Sequence, residues 1–113
     1  MRTVRGTILV PPDVPEGRAA LVLVEARDVS VMDAPSVVVA EERWTDVPIG
    51  PGLRIPFELG VPDTEAGRTL AMRAHISLDG TAAVTRGDVI SVTHIPLPES
   101  RDVDGLEIPL RVV

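Results

Sequence analysis

The chain has 113 residues, of which 44% are hydrophobic and 25% are charged, a balance typical of a globular domain and not of a disordered segment. It contains no cysteine, which excludes disulfides, thiolate metal sites, thiol catalysis and lipid attachment through a cysteine of this sequence. The net charge is −6 and the basic residues are scattered singly, which argues against a nucleic-acid groove.

Trp44 and Phe57 are the only aromatic residues, so the core must consist of Val, Leu, Ile and Ala. Because β-branched side chains pack well on a pleated sheet, this composition favours strands. No apolar run approaches the roughly 18 residues of a membrane-spanning helix. The segment 1–13 also has too few apolar residues for the core of a signal peptide, which needs about 7 to 15. We therefore expect neither a transmembrane segment nor a leader in the sequence as written.

Short segments of alternating apolar and polar residues, separated by Pro, Gly and Asp turns, predict about seven strands. In chain order they are TVRGTILV, AALVLVEA, SVVVAEERW, RIPFEL, TLAMRAHISL, DVISVTHI and LEIPLRV. Beyond one helical turn at 62–67, no helix is expected. Strands of this length joined by short turns predict an all-β fold, an antiparallel β-sandwich of immunoglobulin or transthyretin type that occupies 1–113 as a single domain.

Two features predict where individual strands lie in the sheets. Pro56 and Pro109 have no N–H to donate to a neighbouring strand, so we expect their strands to lie at sheet edges or to have the missing donor pointing outward. The segments 19–26 and 36–44 are apolar on both faces at one end. That pattern predicts central strands, or strands that a partner covers.

The segment 69–78 alternates most clearly, and its apolar residues up to Leu78 are expected to face the core. His75 falls on the opposite face, where we expect it to be solvated. His94 shares a face with apolar residues, so a partly buried structural role is expected. The sequence has no GxSxG or HExxH motif, and we expect no catalytic residue.

The acidic stretch DVSVMDAPS lies between the two most apolar segments. Asp28, Ser30 and Asp33 offer oxygen ligands, but calcium takes about six to eight oxygens and its loops usually bend at a glycine. Asp and Ser also bond to nearby backbone N–H groups, and Pro35 prevents the turn from extending. We therefore predict a structural loop that holds no metal or cofactor.

Two further polar segments are also assigned to turns. Asp102, Asp104 and Glu107 resemble part of a calcium loop, but the distant bidentate Glu of such loops is missing. Arg86, Gly87 and Asp88 spell an integrin-binding tripeptide, which matches by chance in many proteins. We expect a turn into a strand in each case.

The apolar residues of the two-faced segments are the predicted interaction surface, comprising Leu21, Leu23, Val37, Val39 and Trp44. A protein partner or a second copy of the chain would contact them. An alternative from another class is a small-ligand or carbohydrate-binding module around Trp44, although the shortage of aromatic residues weakens a sugar platform. Composition and spacing leave both hypotheses open.

Three segments in order, ARDVSVMDAPSVVVAEE, RIPFELGVP and TLAMRAHISLDG, resemble the YbaY/YscW family of bacterial lipoproteins. The matching motifs are D-V-S-x-x-D-A-P, I-P-F-x-L and a strand that ends at D-G, and the likeness spans Gly6 to about Asp79. It implies a small β-sandwich in the periplasm or outer membrane and no catalytic residue. Some members are pilotins, chaperones that escort the outer-membrane secretin of a type III secretion system.

The chain departs from that family in its missing signal peptide and lipobox cysteine, in Leu70 at the position of a usual Tyr, and in the tail from Thr81 to Val113. The missing cysteine leaves the compartment open. The resemblance and the absent catalytic motifs together predict a non-enzymatic module that acts through protein–protein contact, in a chaperone-like or pilotin-like role.

Overall fold

The computed structural model describes residues 2–30, 36–63, 68–80, 87–91, 95–97 and 102–113. Every regular element in these ranges is a strand, as the all-β prediction requires. The strands are β1 (Arg2–Leu9), β2 (Gly17–Asp28), β3 (Val37–Ile49), β4 (Arg54–Val61), β5 (Leu70–Ser77), β6 (Val89–Ile90), β7 (Ile95–Leu97), β8 (Val103–Pro109) and β9 (Arg111–Val112). Most of the helical turn predicted at 62–67 lies outside the described residues.

The described strands form two sheets that pack face to face, which confirms the predicted sandwich. The smaller sheet has the order β4-β1-β8 and the larger one the order β3-β2-β5-β6-β9, with β7 also paired to β5. Pairing is antiparallel except between β1 and β8, which run parallel. Sequence periodicity carries no information on strand direction, so this parallel pair was not predicted.

The proline prediction is confirmed, because β4 with Pro56 and β8 with Pro109 are the two edges of the smaller sheet. The two segments that are apolar on both faces were predicted to be central strands or strands that a partner covers. β2 is central, between β3 and β5, and its residues from Leu21 to Ala26 are buried on both faces. β3 is not central but forms an edge of the larger sheet, with Val37 and Val38 exposed, so for β3 the covering partner stays a prediction.

The core lies between the sheets and consists mainly of branched aliphatic side chains, with three alanines, Met72 and Phe57 among them. Each fully buried side chain of this type contributes about 1.5 to 3 kcal/mol relative to exposure, so the core needs few aromatic residues. Among its fully buried members are Val4, Ile8, Val22, Val24, Val61, Ile76 and Ile108.

Two predictions for the segment 69–78 are wrong. Leu78 is 51% exposed because β5 ends at Ser77 and the alternation stops there. His75 was expected in water but is 1% exposed, with its Nε2 atom 2.9 Å from Oδ2 of the equally buried Asp88. Strand alternation distinguishes the two faces of a sheet but does not reveal that the outer face is also covered.

Candidate functional site

β3 is the longest strand, and among the described residues only one of its edges is paired, to β2. Its first part, Val37–Ala40, carries apolar side chains, of which Val37 is 64% and Val38 37% exposed. We call the residues Val37, Val38, Val39, Ala40 and Trp44 the β3 surface. An edge strand of this kind presents unpaired backbone groups to which another strand can add.

The rest of β3 has features that protect edge strands from pairing. Glu41 and Arg43 form an exposed ion pair at 3.0 Å. Asp46 has a φ of 53° and interrupts the regular pairing with β2, and Pro48 lacks an N–H. Charges, irregular backbone and proline all oppose strand addition, so Val37–Ala40 is the least protected part of this edge, although the β2–β3 register shift between Ala26 and Arg27 falls opposite it.

A polar network holds the beginning of β3 against β2. Arg27 donates through Nη1 to the hydroxyl of Ser36 at 2.9 Å and through Nη2 to the carboxylate of Glu25 at 3.2 Å. Glu25 is 5% exposed, so this ion pair is better shielded than those on the surface. A register shift between Ala26 and Arg27 lies at the same place. The exposed residues Val37 and Val38 therefore come directly after Ser36, which this network anchors to β2.

Trp44 lines an open cleft of about 630 Å³ between β3 and the smaller sheet. Gly6 and Phe57 form part of its wall, and a side chain at Gly6 would overlap the carbonyl oxygen of Leu106. Arg5 and Glu58 pair across the rim at 3.3 Å. The cleft is thus polar at its rim and is lined by two aromatic side chains, Trp44 and Phe57.

The loop predicted to be structural begins with a turn of the expected kind. Oδ1 of Asp28 accepts the Ser30 N–H at 2.9 Å, and the Ser30 hydroxyl accepts the Thr69 N–H at 2.8 Å. The side chain and the N–H of Ser30, with a smaller contribution from Arg68, hold the pKa of Asp28 below its ordinary value. Asp33 and Pro35 lie outside the described residues.

The predicted interaction residues divide into two groups. Leu21 and Leu23 are buried, at 4% and 3% exposure, so they are not accessible on this surface. Val37 is strongly exposed, while Val39 and Trp44 are partly buried against the core. A contact with a partner stays a prediction for these three, and Val38, which was not singled out from the sequence, lies beside them.

The three acidic residues of the segment 102–107 each bind a different partner. Asp102 accepts the Thr3 N–H at 2.8 Å, Asp104 accepts the Gly105 N–H at 2.8 Å, and Glu107 pairs with Arg54 at 2.9 Å. Within the described ranges no three His, Cys, Asp or Glu residues converge as a metal site would require.

The other two candidates concern the tripeptide and the second histidine. Asp88 is fully buried, so the integrin-type interpretation of residues 86–88 is wrong, since that motif needs an accessible carboxylate. His94 lies outside the described residues.

Sequence reasoning missed the anchor made by Glu25, Arg27 and Ser36, and the role of Gly6. Arg27 and Glu25 lie two residues apart on one face of a strand, which was a usable signal for an ion pair. The contact of Arg27 with Ser36 depends on the pairing of β2 with β3, and the crowding at Gly6 depends on β8. Neither contact can be predicted from the local sequence pattern.

The part of the chain that the structure describes has no helix long and apolar enough to cross a bilayer. None of the curated proteins compared with the chain matches it. Among solved structures, an alternative pilotin from the type II secretion system of Vibrio cholerae is similar, with a TM-score of 0.62, 21% identity, and coverage of 97% of this chain and 96% of the other. At that identity the likeness shows the fold alone.

The family comparison covers more of the sequence than the motifs did. The model of the type III secretion system lipoprotein chaperone family, YscW, matches residues 1–104, which includes most of the tail that the motif comparison left unmatched. With that coverage, this chain belongs to the YscW family of type III secretion system lipoprotein chaperones.

Proposed function

We propose that this chain is a non-enzymatic, chaperone-like module of the bacterial envelope that binds a protein partner at the β3 surface. The observation that carries the proposal is the exposed edge at Val37–Ala40, the least charged part of β3, with two exposed valines, in a member of a lipoprotein chaperone family. Strand addition supplies backbone hydrogen bonds, and the side chains on either side supply specificity.

The partner class follows from the relatives. The matching family model describes type III secretion system lipoprotein chaperones, and the similar solved structure is a pilotin of a type II secretion system. We therefore propose a secretin-type subunit of an envelope secretion channel as the partner. An extended segment of that subunit would pair with Val37–Ala40 and cover Val37 and Val38, with Trp44 at the far end of the contact.

Purification of partners from the native host's envelope, with cross-linking and mass spectrometry, tests this proposal. We expect the unmodified chain to recover one secretion component and the Val37→Lys/Val38→Lys variant to recover about tenfold less, because charged side chains oppose strand addition. Thr45→Lys is the matched control, since it adds a charge to the protected part of the same strand. Equal recovery by all three proteins would exclude the β3 surface.

The Trp44 cleft favours one alternative function, binding of a small ligand. Its volume of about 630 Å³ lies within the range of roughly 300 to 1,000 Å³ that ligand pockets occupy. Since Trp44 is the only tryptophan, its fluorescence reports directly on this cleft. Saturable quenching by a sugar or metabolite from a screened panel would support the alternative, and unchanged fluorescence across the panel would oppose it.

A further inference from the structure

A second apolar concavity lies where the β1–β2 connection meets the end of β3 and the strands β6 and β9. It consists of a half-open pocket of about 150 Å³ and an adjoining, more open cleft of about 550 Å³, which share Glu16, Gly17 and Ile49 as walls. We call the two together the end groove. It shares no residue with the Trp44 cleft or with the β3 surface.

Exposed apolar side chains are concentrated at the end groove. The described residues include six large hydrophobic side chains that are exposed. Three of them, Leu53, Leu78 and Val112, line the groove. A cluster of apolar groups that the fold leaves uncovered marks a contact site more often than scattered single residues do.

Three core residues line the half-open pocket together with exposed side chains. Val14, Ile49 and Val89 are 3%, 7% and 1% exposed and line the pocket from within. A volume of about 150 Å³ is below the roughly 300 Å³ at which ligand pockets begin. It suits one large apolar side chain, the type of anchor that fills pockets at protein interfaces.

Two acidic residues and one arginine line this pocket beside its apolar residues. Asp13 and Glu16 line it, and neither has an ion pair among the described residues. Arg18 also lines it, but its guanidinium is bound to the Asp46 carboxylate at 2.7 Å and to the Asp46 carbonyl at 2.9 Å. The arginine is thus neutralised locally, and the mouth of the pocket is negative, in keeping with the net charge of −6.

We propose that the end groove binds a segment of a protein partner that inserts one large apolar side chain into the half-open pocket and places Lys or Arg residues against Asp13 and Glu16. This inference rests on the proposed protein-binding function but assigns it a second site with its own recognition chemistry. The carboxylates repel anionic lipids and nucleic acids, so a cationic peptide segment is the complementary occupant.

Gly17 lines both parts of the end groove and provides a position at which to obstruct it. A Cβ built on Gly17 meets no atom within 4 Å, and its backbone is not in the left-handed region, so Gly17→Leu fills space without a clash at the Cβ. Gly17→Ser is the matched control that leaves the pocket largely open. Leu78→Arg places a positive charge at an exposed wall and provides a test that does not depend on the folding of Gly17→Leu.

The experiment selects random displayed peptides on the full chain, with counter-selection on Gly17→Leu. We expect the selected peptides to carry one large apolar residue near Lys or Arg, and to bind Gly17→Leu and Leu78→Arg about tenfold or more weakly than the unmodified chain and Gly17→Ser. Asp13→Asn and Glu16→Gln should each weaken binding about threefold and flatten its salt dependence, whereas Glu107→Gln, the charge control, should not.

Other results would overturn the inference and separate it from the proposed function. Peptides that bind Gly17→Leu as well as the unmodified chain, but fail on Val37→Lys/Val38→Lys, would exclude the end groove and leave the β3 surface as the site. If no peptide remains after those that bind Gly17→Leu have been removed, the end groove is excluded. The proposed function would then depend on the recovery of a partner from the host alone.

Discussion

The carboxylate of Asp88 connects two parts of the larger sheet at the level of single residues. Its Oδ2 lies 2.9 Å from Nε2 of the buried His75, and its Oδ1 accepts the Leu78 N–H at 3.1 Å in a partly buried position. Removal of one partner leaves the other desolvated without compensation. We predict that Asp88→Asn lowers the free energy of unfolding by about 3 kcal/mol in urea titrations.

Asp104→Asn is the control for that measurement. Asp104 is exposed and accepts a hydrogen bond only from the adjacent Gly105 N–H among the contacts described, so its replacement should change stability by less than about 0.5 kcal/mol. A loss at Asp88 no larger than at Asp104 would contradict the stabilising role of the buried pair.

Asp28 should make stability depend on pH. Ser30 holds the pKa of the folded carboxyl below its ordinary value of 3.8, so the ionised form stabilises the fold above that value and the contribution is lost as the pH falls through the folded pKa. We predict that the melting temperature of the unmodified chain exceeds that of Asp28→Asn near pH 6 and that the difference shrinks toward about pH 3. A difference that is constant across this range would show that the ionised carboxyl is not the stabilising form.

At the residue scale, local chemistry was predictable and tertiary contacts were not. The bond from Asp28 to the Ser30 N–H spans two residues, and the Asp-x-Ser pattern indicates it directly. The contact of His75 with Asp88 joins different strands. No periodicity in either segment shows that the outer face at His75 is covered, so the sequence suggested a solvated histidine.

At the scale of strands, alternation located most elements but did not reveal their neighbours. The segments around β1, β2, β4 and β5 were predicted because each alternates strongly or is bounded by turn residues. The edge position of β4 and β8 followed from proline chemistry. The edge position of β3 did not follow, because apolar residues on both faces are equally typical of a central strand and of a surface kept for a partner.

The approach of β8 to β1 leads to a prediction for two glycines in strands. A Cβ at Gly6 would overlap the Leu106 carbonyl oxygen and crowd the Phe57 ring, whereas a Cβ at Gly17 meets nothing within 4 Å. Gly6→Ala should therefore lower the free energy of unfolding by about 1 to 3 kcal/mol. Gly17→Ala should be neutral or should stabilise the chain by up to about 1 kcal/mol through the unfolded state.

Chemical denaturation of both glycine variants checks this contrast. Similar free energies of unfolding for the two would mean that β1 and β8 can separate at Gly6 at little cost. The register shift between Val4 and Gly6 in the β1–β8 pairing would then be a point of adjustment and not a fixed part of the sheet.

At the scale of the whole molecule, the shared core between the two sheets leads us to expect cooperative unfolding of residues 1–113 as one domain. Trp44 packs against that core from the edge strand, so its fluorescence should change in the same transition as the far-UV circular dichroism. We predict coincident urea midpoints for the two signals. An earlier fluorescence transition would show that β3 separates before the rest of the sandwich.

The β3 surface and the end groove together describe a molecule with two recognition chemistries. One uses the backbone of an edge strand, and the other uses an apolar pocket with an acidic rim. A partner that bound both sites at once would bind more tightly than through either site alone, because the second contact would form within the complex already made by the first. This requires that its segment can span the two sites. Variants in the two sites would then weaken binding by more together than either does alone.

The central place of β1 in its sheet also determines the order in which this chain can complete its fold. β4 can join β1 once Val61 has been synthesised, but β8 is available only after Pro109. At about 5 to 20 residues per second, β1 keeps one open edge for roughly 2 to 10 s. A molecule shortened before β8 would keep that edge permanently, and such a product would be a target for proteases or for pairing with another nascent chain.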